Sequence, residues 1–310
     1  MTGRTRRSFL RCSAWLGTLG SGAVGVEPTG RFAPRFLPFA HADAPASRKK
    51  GDRMAYGLVT YLWGQHWTLE QLIANCDKAN VLGVELRTTH KHGVEPNLDR
   101  AARADVAKRF ADSRVKLVGL GGNERLDHPD AASLRKAVEE VKRFLQLSHD
   151  VGGSGVKVKP DRFHADVPRE KTIEQIGTTL NALGAAARDL GQQVRLEVHG
   201  QCAELPTIRA ILDIANHDHV AICWNSNAQD LQGEGLRRNF ELVSHRFGAT
   251  CHVRELDSPD YPYEELIGLL VGMDYQGWVM LEASGSPADP VAALAAQGAL
   301  FQKMVRAAQG

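Results

Sequence analysis

The sequence predicts a (β/α)8 barrel. From residue 55 onward, eight short β-rich runs alternate without exception with eight amphipathic helical runs. About 250 residues remain once a basic leader is set aside, the size of one such barrel. Nearly every β-rich run also ends in polar residues, at the end of the strand where barrels of this kind place their active sites. Strict alternation implies a parallel sheet with right-handed crossovers, and eight units imply closure rather than an open sheet.

The chain has 310 residues. Residues 1–42 read as an export leader. Arg6-Arg7-Ser8-Phe9-Leu10 is similar to the twin-arginine signal, a weakly apolar Gly- and Ala-rich stretch follows, and Ala40-His41-Ala42 supplies small residues at a cleavage site. That stretch is too short and too polar for a spanning helix. The leader implies an exported, periplasmic protein. Residues 43–53 form a polar linker that we expect to be loose, and residues 54–310 form the barrel.

Within the barrel the strands fall at Tyr56–Tyr61, Gly83–Arg87, Lys116–Leu120, Gly155–Lys159, Val194–His199, Val220–Asn225, Thr250–Arg254 and Trp278–Ala283. Thr68 caps the first helix, in which Leu69, Leu72, Ile73 and Cys76 share one face. The remaining helices run from Leu98 to Ala111, Ala132 to Val151, Thr172 to Leu190, Glu204 to Ala215, Leu236 to Phe247, Tyr263 to Met273 and Pro290 to Ala308.

Charge excludes some functions. Six of the 38 basic and one of the 36 acidic side chains lie in residues 1–42, so the remainder holds 32 basic and 35 acidic groups, a net −3 against +2 for the whole chain. A mildly acidic body argues against general affinity for nucleic acid or anionic membranes. Homo-oligomerisation is left open. Cys76, Cys202, Cys223 and Cys251 are widely spaced and read as buried thiols. One bridge between Cys223 and Cys251, on neighbouring strands, is the alternative.

Alternate residues of a barrel strand point inward. That rule brings polar groups from six strands to one end: Glu85 and Arg87, Lys157 and Lys159, Glu197 and His199, Asn225, His252 and Arg254, and Glu282. An interior built only for packing would carry Val, Ile and Leu there, because an unpaired buried charge costs several kcal/mol. Glu197, His252 and Glu282 read as metal ligands. Carboxylate oxygens and an imidazole suit a divalent cation such as Mn, Zn, Co or Mg. Asn225 offers a carbonyl oxygen between them. His199 is either a further ligand or a supporting donor. Glu85 and Arg87 read as substrate-binding groups, with a plain ion pair in the barrel wall as the alternative.

The runs V-R-L-E-V-H-G, V-A-I-C-W-N-S-N, C-H-V-R-E-L and G-W-V-M-L-E-A resemble strands five to eight of the xylose-isomerase-like barrels, in order. The resemblance spans Tyr56 to the C-terminus. That superfamily holds sugar isomerases and epimerases, hydroxypyruvate isomerase and endonuclease IV. Its metal set of Glu, Asp, His or Gln, and Glu carries over as Glu197, His252 and Glu282. At the aspartate position this chain has Asn225, and Ala228 stands where a histidine often follows. On strands six and seven the Asp-x-x-His and Asp-x-His pairs of a trinuclear zinc nuclease are missing.

The resemblance implies proton transfer beside a sugar carbonyl. Glu197 and Glu282 are then the acid–base pair, and Lys159 stabilises developing negative charge. His199 and Arg254 hold hydroxyls or the same charge, and Trp224, Trp63 or His66 stacks on a sugar face. Export argues for a non-phosphorylated sugar or keto-sugar. Elimination or hydrolysis of a keto-glycoside, and a non-catalytic carbohydrate-binding barrel, are the alternatives.

Overall fold

The computed structural model describes residues 48–310. The leader, including the twin-arginine segment, and residues 43–47 lie outside the described residues.

Eight parallel strands close into one barrel in chain order: β1 (Ala55–Val59), β2 (Gly83–Arg87), β3 (Lys116–Arg125), β4 (Gly155–Lys159), β5 (Gln193–Glu197), β6 (Val220–Asn225), β7 (Phe247–Val253) and β8 (Trp278–Leu281). The last strand pairs back onto the first, with Leu58 opposite Leu281. Eight helices follow the strands: α1 (Leu69–Ala79), α2 (Arg100–Ala111), α3 (Ala131–Asp150), α4 (Arg169–Asp189), α5 (Leu205–Ile214), α6 (Leu236–Val243), α7 (Tyr263–Gly272) and α8 (Pro290–Gln309). The (β/α)8 expectation holds.

Local chemistry explains the boundaries. Thr68 caps α1 as expected, in a reciprocal capping box with Gln71. Asp99, Asp130 and Asp289 accept from the first turns of α2, α3 and α8. β3 runs five residues beyond its expected end, because pairing with β2 and β4 carries the chain through Gly121 to Arg125. α6 stops at Val243, short of the expected Phe247. Phe247 instead opens β7, where its ring packs against Trp224, Phe240 and Tyr275. A 3-10 turn, Ser244–Arg246, makes the connection.

Residues 48–53, the described part of the linker, make contacts with the barrel. Arg48 pairs with Asp274, the Gly51 N–H donates to Asp274 Oδ1 at 3.0 Å, and Gln309 Nε2 donates to the Lys50 carbonyl at 3.0 Å. A side chain on Gly51, whose φ is +83°, would meet Val271 at 2.9 Å.

The main core lies between the outer face of the barrel and the helices. Leu58, Leu86, Leu196 and Ile222 from the strands meet Leu72, Ile176, Ile211 and Phe301 from the helices, all buried. Full burial of one such side chain contributes about 1.5–3 kcal/mol. Inside the barrel, Val59, Val118 and Met280 form a separate small apolar cluster. All four cysteines among the described residues are buried and free. Burial pushes the thiols of Cys76, Cys202 and Cys251 up to about 12, so they are inert at neutral pH. Among the described residues no helix is long and apolar enough to cross a membrane.

Candidate active site

Strand alternation turns Glu197, at the end of β5, and His252, near the end of β7, into the barrel, and Glu282 follows β8 directly. One ligand atom from each lies within 4.8 Å of the other two. His252 Nδ1 is 3.3 Å from Glu197 Oε1 and 4.0 Å from Glu282 Oε2. Two ligands of one ion, each at roughly 2.1 Å, lie up to about 4.2 Å apart. Small side-chain adjustments therefore close this set around a divalent cation. Asn225 joins it from β6, with its amide 3.3 Å from Glu197 Oε1.

Two further buried groups prepare these side chains. Glu85 Oε1 bonds His252 Nε2 at 3.0 Å. This is the carboxylate–histidine arrangement that orients a ligating imidazole and leaves its other nitrogen for a metal. Lys157 Nζ donates to Glu197 Oε2 at 2.7 Å, and both side chains are buried. Burial alone would raise the Glu197 carboxyl; Lys157 and then His252 outweigh it and hold the group ionised, well below the usual range. Burial likewise opposes charge on Lys157, but Glu197, Glu282 and Glu85 keep it protonated. On His252, burial is outweighed by Cys223, Glu85 and Glu197, which hold the imidazole well above its ordinary value. A cation bound at Nδ1 would compete with a proton for that nitrogen. The donor set, with its oriented imidazole and a partner on every carboxylate, fits a divalent metal.

Above this cluster opens a cavity of about 590 Å³, within the range of small-molecule sites. Arg87, Lys159, His199, Asn225, Arg254 and Glu282 all line it. Arg87 is tied down by Glu282 at 3.6 Å, by Asn123 at 2.6 Å, and by the ring of Tyr61 beneath its guanidinium. Burial, reinforced by the charge of Lys157, pushes the Lys159 ammonium below its usual value. His199 does not join the metal cluster. Its Nδ1 bonds Asp161 Oδ1 at 2.8 Å, leaving Nε2 as the free ring nitrogen.

Four residues lie elsewhere than the sequence reading put them. Trp224 is fully buried on the outer face of β6, packed against Phe240 and Phe247, because it alternates with the inward Asn225. It is not a platform for a sugar. Glu85 sits too deep to line the cavity and acts on His252 instead. Trp63 is buried and donates to the Gly285 carbonyl at 2.8 Å, whereas His66 is exposed and lies outside the lining.

Others went unread. Asp161, which follows β4, holds His199 and Arg125. Its φ of +62° is unusual for a residue other than glycine, and a side chain on neighbouring Gly200 would meet its carbonyl at 2.2 Å. Tyr61, Gln201, Asn227 and Gln229 complete the wall. The only sequence signal for these four is position just beyond a strand end.

A closed (β/α)8 barrel with carboxylates and an imidazole converging at the C-terminal strand ends defines the class of this protein. The profile of the xylose isomerase-like TIM barrel family matches residues 73–304, and the chain belongs to that family. Comparison with curated proteins by sequence gives no match. Among solved structures, the fold is similar to that of 3-keto-D-glucoside 4-epimerase from E. coli, at 15% identity and TM-score 0.68 over 81% of this chain and 99% of the other. It is similar to that of L-ribulose 3-epimerase, at 15% identity and TM-score 0.70 over 82% and 95%. A third, the IolI protein with a bound zinc atom, has 14% identity and TM-score 0.67 over 82% and 98%.

Proposed function

We propose that this protein is a metal-dependent isomerase or epimerase that moves a proton next to the carbonyl of a non-phosphorylated sugar or keto-sugar. The observation that carries this reading is the placement of two carboxylates, Glu197 and Glu282, 3.3 and 4.0 Å from His252 Nδ1, with Glu282 lining a polar cavity. The epimerases named above, and the zinc bound by the IolI protein, support it.

Glu197, His252 and Glu282 would hold the cation, with Asn225 as a neutral fourth donor. Bound there, the cation would supply Lewis-acid polarisation of a carbonyl oxygen. Glu197, kept ionised by Lys157 and bonded to the lining residue Asn225 without lining the cavity itself, is assigned as the base that takes the carbon-bound proton. Glu282 lines the cavity and is assigned to return a proton. Lys159 supplies positive charge to the oxyanion that develops at the carbonyl. Asp161 fixes one ring nitrogen of His199, so the other is free to bond a hydroxyl.

Elemental analysis tests the metal assignment. The purified protein is expected to carry one divalent ion, and His252→Ala and Glu282→Gln to lose it. Full occupancy in both variants would refute the ligand set. A wild-type protein that takes up no metal yet binds sugars saturably would be a carbohydrate-binding barrel instead.

A further inference from the structure

We infer that the substrate carries a carboxylate and that Arg254 is the residue that selects it. The inference rests on the reading above that the cavity receives a sugar derivative, and adds the charge of that sugar.

The inward groups carry more positive than negative charge. Five Lys and Arg side chains, Arg87, Lys157, Lys159, Arg195 and Arg254, together with His252, face three carboxylates, Glu85, Glu197 and Glu282. Most are spoken for. Lys157 is matched by Glu197 and Arg87 by Glu282. Glu85 is matched by His252. Arg195 is fully buried, bonded to Ser154 and Gln193, and does not reach the cavity. Lys159 and Arg254 remain. Both line the cavity, and neither forms an ion pair among the described residues. One cation suffices opposite an oxyanion at a carbonyl, and the half-buried Lys159 fills that place. Arg254 is then surplus to the chemistry. Its backbone is fixed, since its N–H donates to Tyr263 Oη at 2.9 Å. A guanidinium presents a planar fork that matches a carboxylate in two parallel hydrogen bonds.

A phosphate is the other anion to weigh. Barrels of this fold commonly hold phosphate on backbone N–H groups of the loops after strands seven and eight. Here two such donors after β8 are taken. The N–H groups of Ser284 and Gly285 donate to the Glu255 carboxylate at 3.0 and 2.6 Å, and Ser284 Oγ adds a third bond at 3.0 Å. The chain thus fills its own cradle with a negative charge, which repels a phosphate dianion. The anion left for Arg254 is a carboxylate, as on a uronic or aldonic acid.

Isothermal titration of the purified protein tests this with D-glucuronate, D-galacturonate and D-gluconate against D-glucose, D-galactose and D-glucose 6-phosphate. At least one acid is expected to bind about tenfold or more tightly than its neutral parent. Arg254→Gln should abolish that preference, and Arg254→Lys should restore part of it. Three results would each overturn the inference: no acid preferred over its parent, a preference that survives Arg254→Gln, or the phosphate ester bound as tightly as the best acid. Binding needs no turnover, so the two readings fail separately. Acid preference without proton exchange defeats the proton-transfer reading alone. Exchange on neutral sugars without acid preference defeats this one alone.

Discussion

Replacing Lys157 with Met would remove the cation under Glu197 while keeping an unbranched apolar chain of similar length. Lys157 Nζ and Glu197 Oε2 are 2.7 Å apart, and neither side chain reaches solvent. Breaking a buried pair from one side costs about 3–5 kcal/mol, because the other charge is left uncompensated. His252 and Asn225 still contact Glu197 at 3.3 Å, which places the cost near the lower end. At about 2–4 °C per kcal/mol for a domain of this size, the melting temperature should fall by about 6–12 °C at pH 7. The comparison belongs in chelator, so that no cation substitutes for the lysine. The pH dependence has a definite sign. In the wild type the Glu197 carboxyl lies well below its unfolded value of about 4.3. Its contribution is therefore present above that pH and is lost as pH falls through the folded value. Without Lys157, burial raises the carboxyl, and the group accepts a proton on acidification. The gap between the two proteins should be widest near neutrality and narrow below about pH 4–5. A variant that melts within about 2 °C of the wild type at pH 7, or a gap that persists into acid, would refute the reasoning.

Glu85→Gln should weaken zinc binding by about 10–100-fold, because the orienting partner of His252 Nε2 loses its charge; an unchanged affinity by competition titration would remove Glu85 from the site. Replacing Arg6 and Arg7 with Lys should keep the protein in the cytoplasm if residues 1–42 act as a twin-arginine leader. Normal periplasmic recovery of that variant would sink the export proposal.

The alternation of β-rich and amphipathic runs made the barrel legible, and β2, β4 and β6 fall at their expected limits. Those three strands are bounded by glycines, capping groups or a change of period. β3 is not, since it continues past Gly121 and Gly122, with Gly121 paired to Arg87 and Lys157 and Arg125 paired to Lys159. Inward parity also brought Glu197, His252 and Glu282 to one place. The same rule, applied to adjacent residues, turns Trp224 away once Asn225 points inward. What parity does not encode is depth. Glu85 and Arg87 share a face of β2, yet one is sealed against His252 and the other lines the cavity. Nor does pattern reveal a left-handed aspartate such as Asp161, whose carbonyl lies against Gly200 and accepts from the Gln201 and Cys202 N–H groups in the turn after β5.

The most direct test of proton transfer beside a carbonyl is turnover in heavy water. Metal-supplemented protein would be incubated with a panel of neutral and acidic keto-sugars, and the products followed by NMR. Deuterium should appear on the carbon next to the carbonyl of whichever substrate is converted. Glu197→Gln and Glu282→Gln should slow that exchange by about 10²–10⁴-fold, the usual loss when an acid–base group is removed. An unsaturated product would keep the proton abstraction but make the reaction an elimination. Turnover with neither a carbon-bound label nor an elimination product would contradict the account.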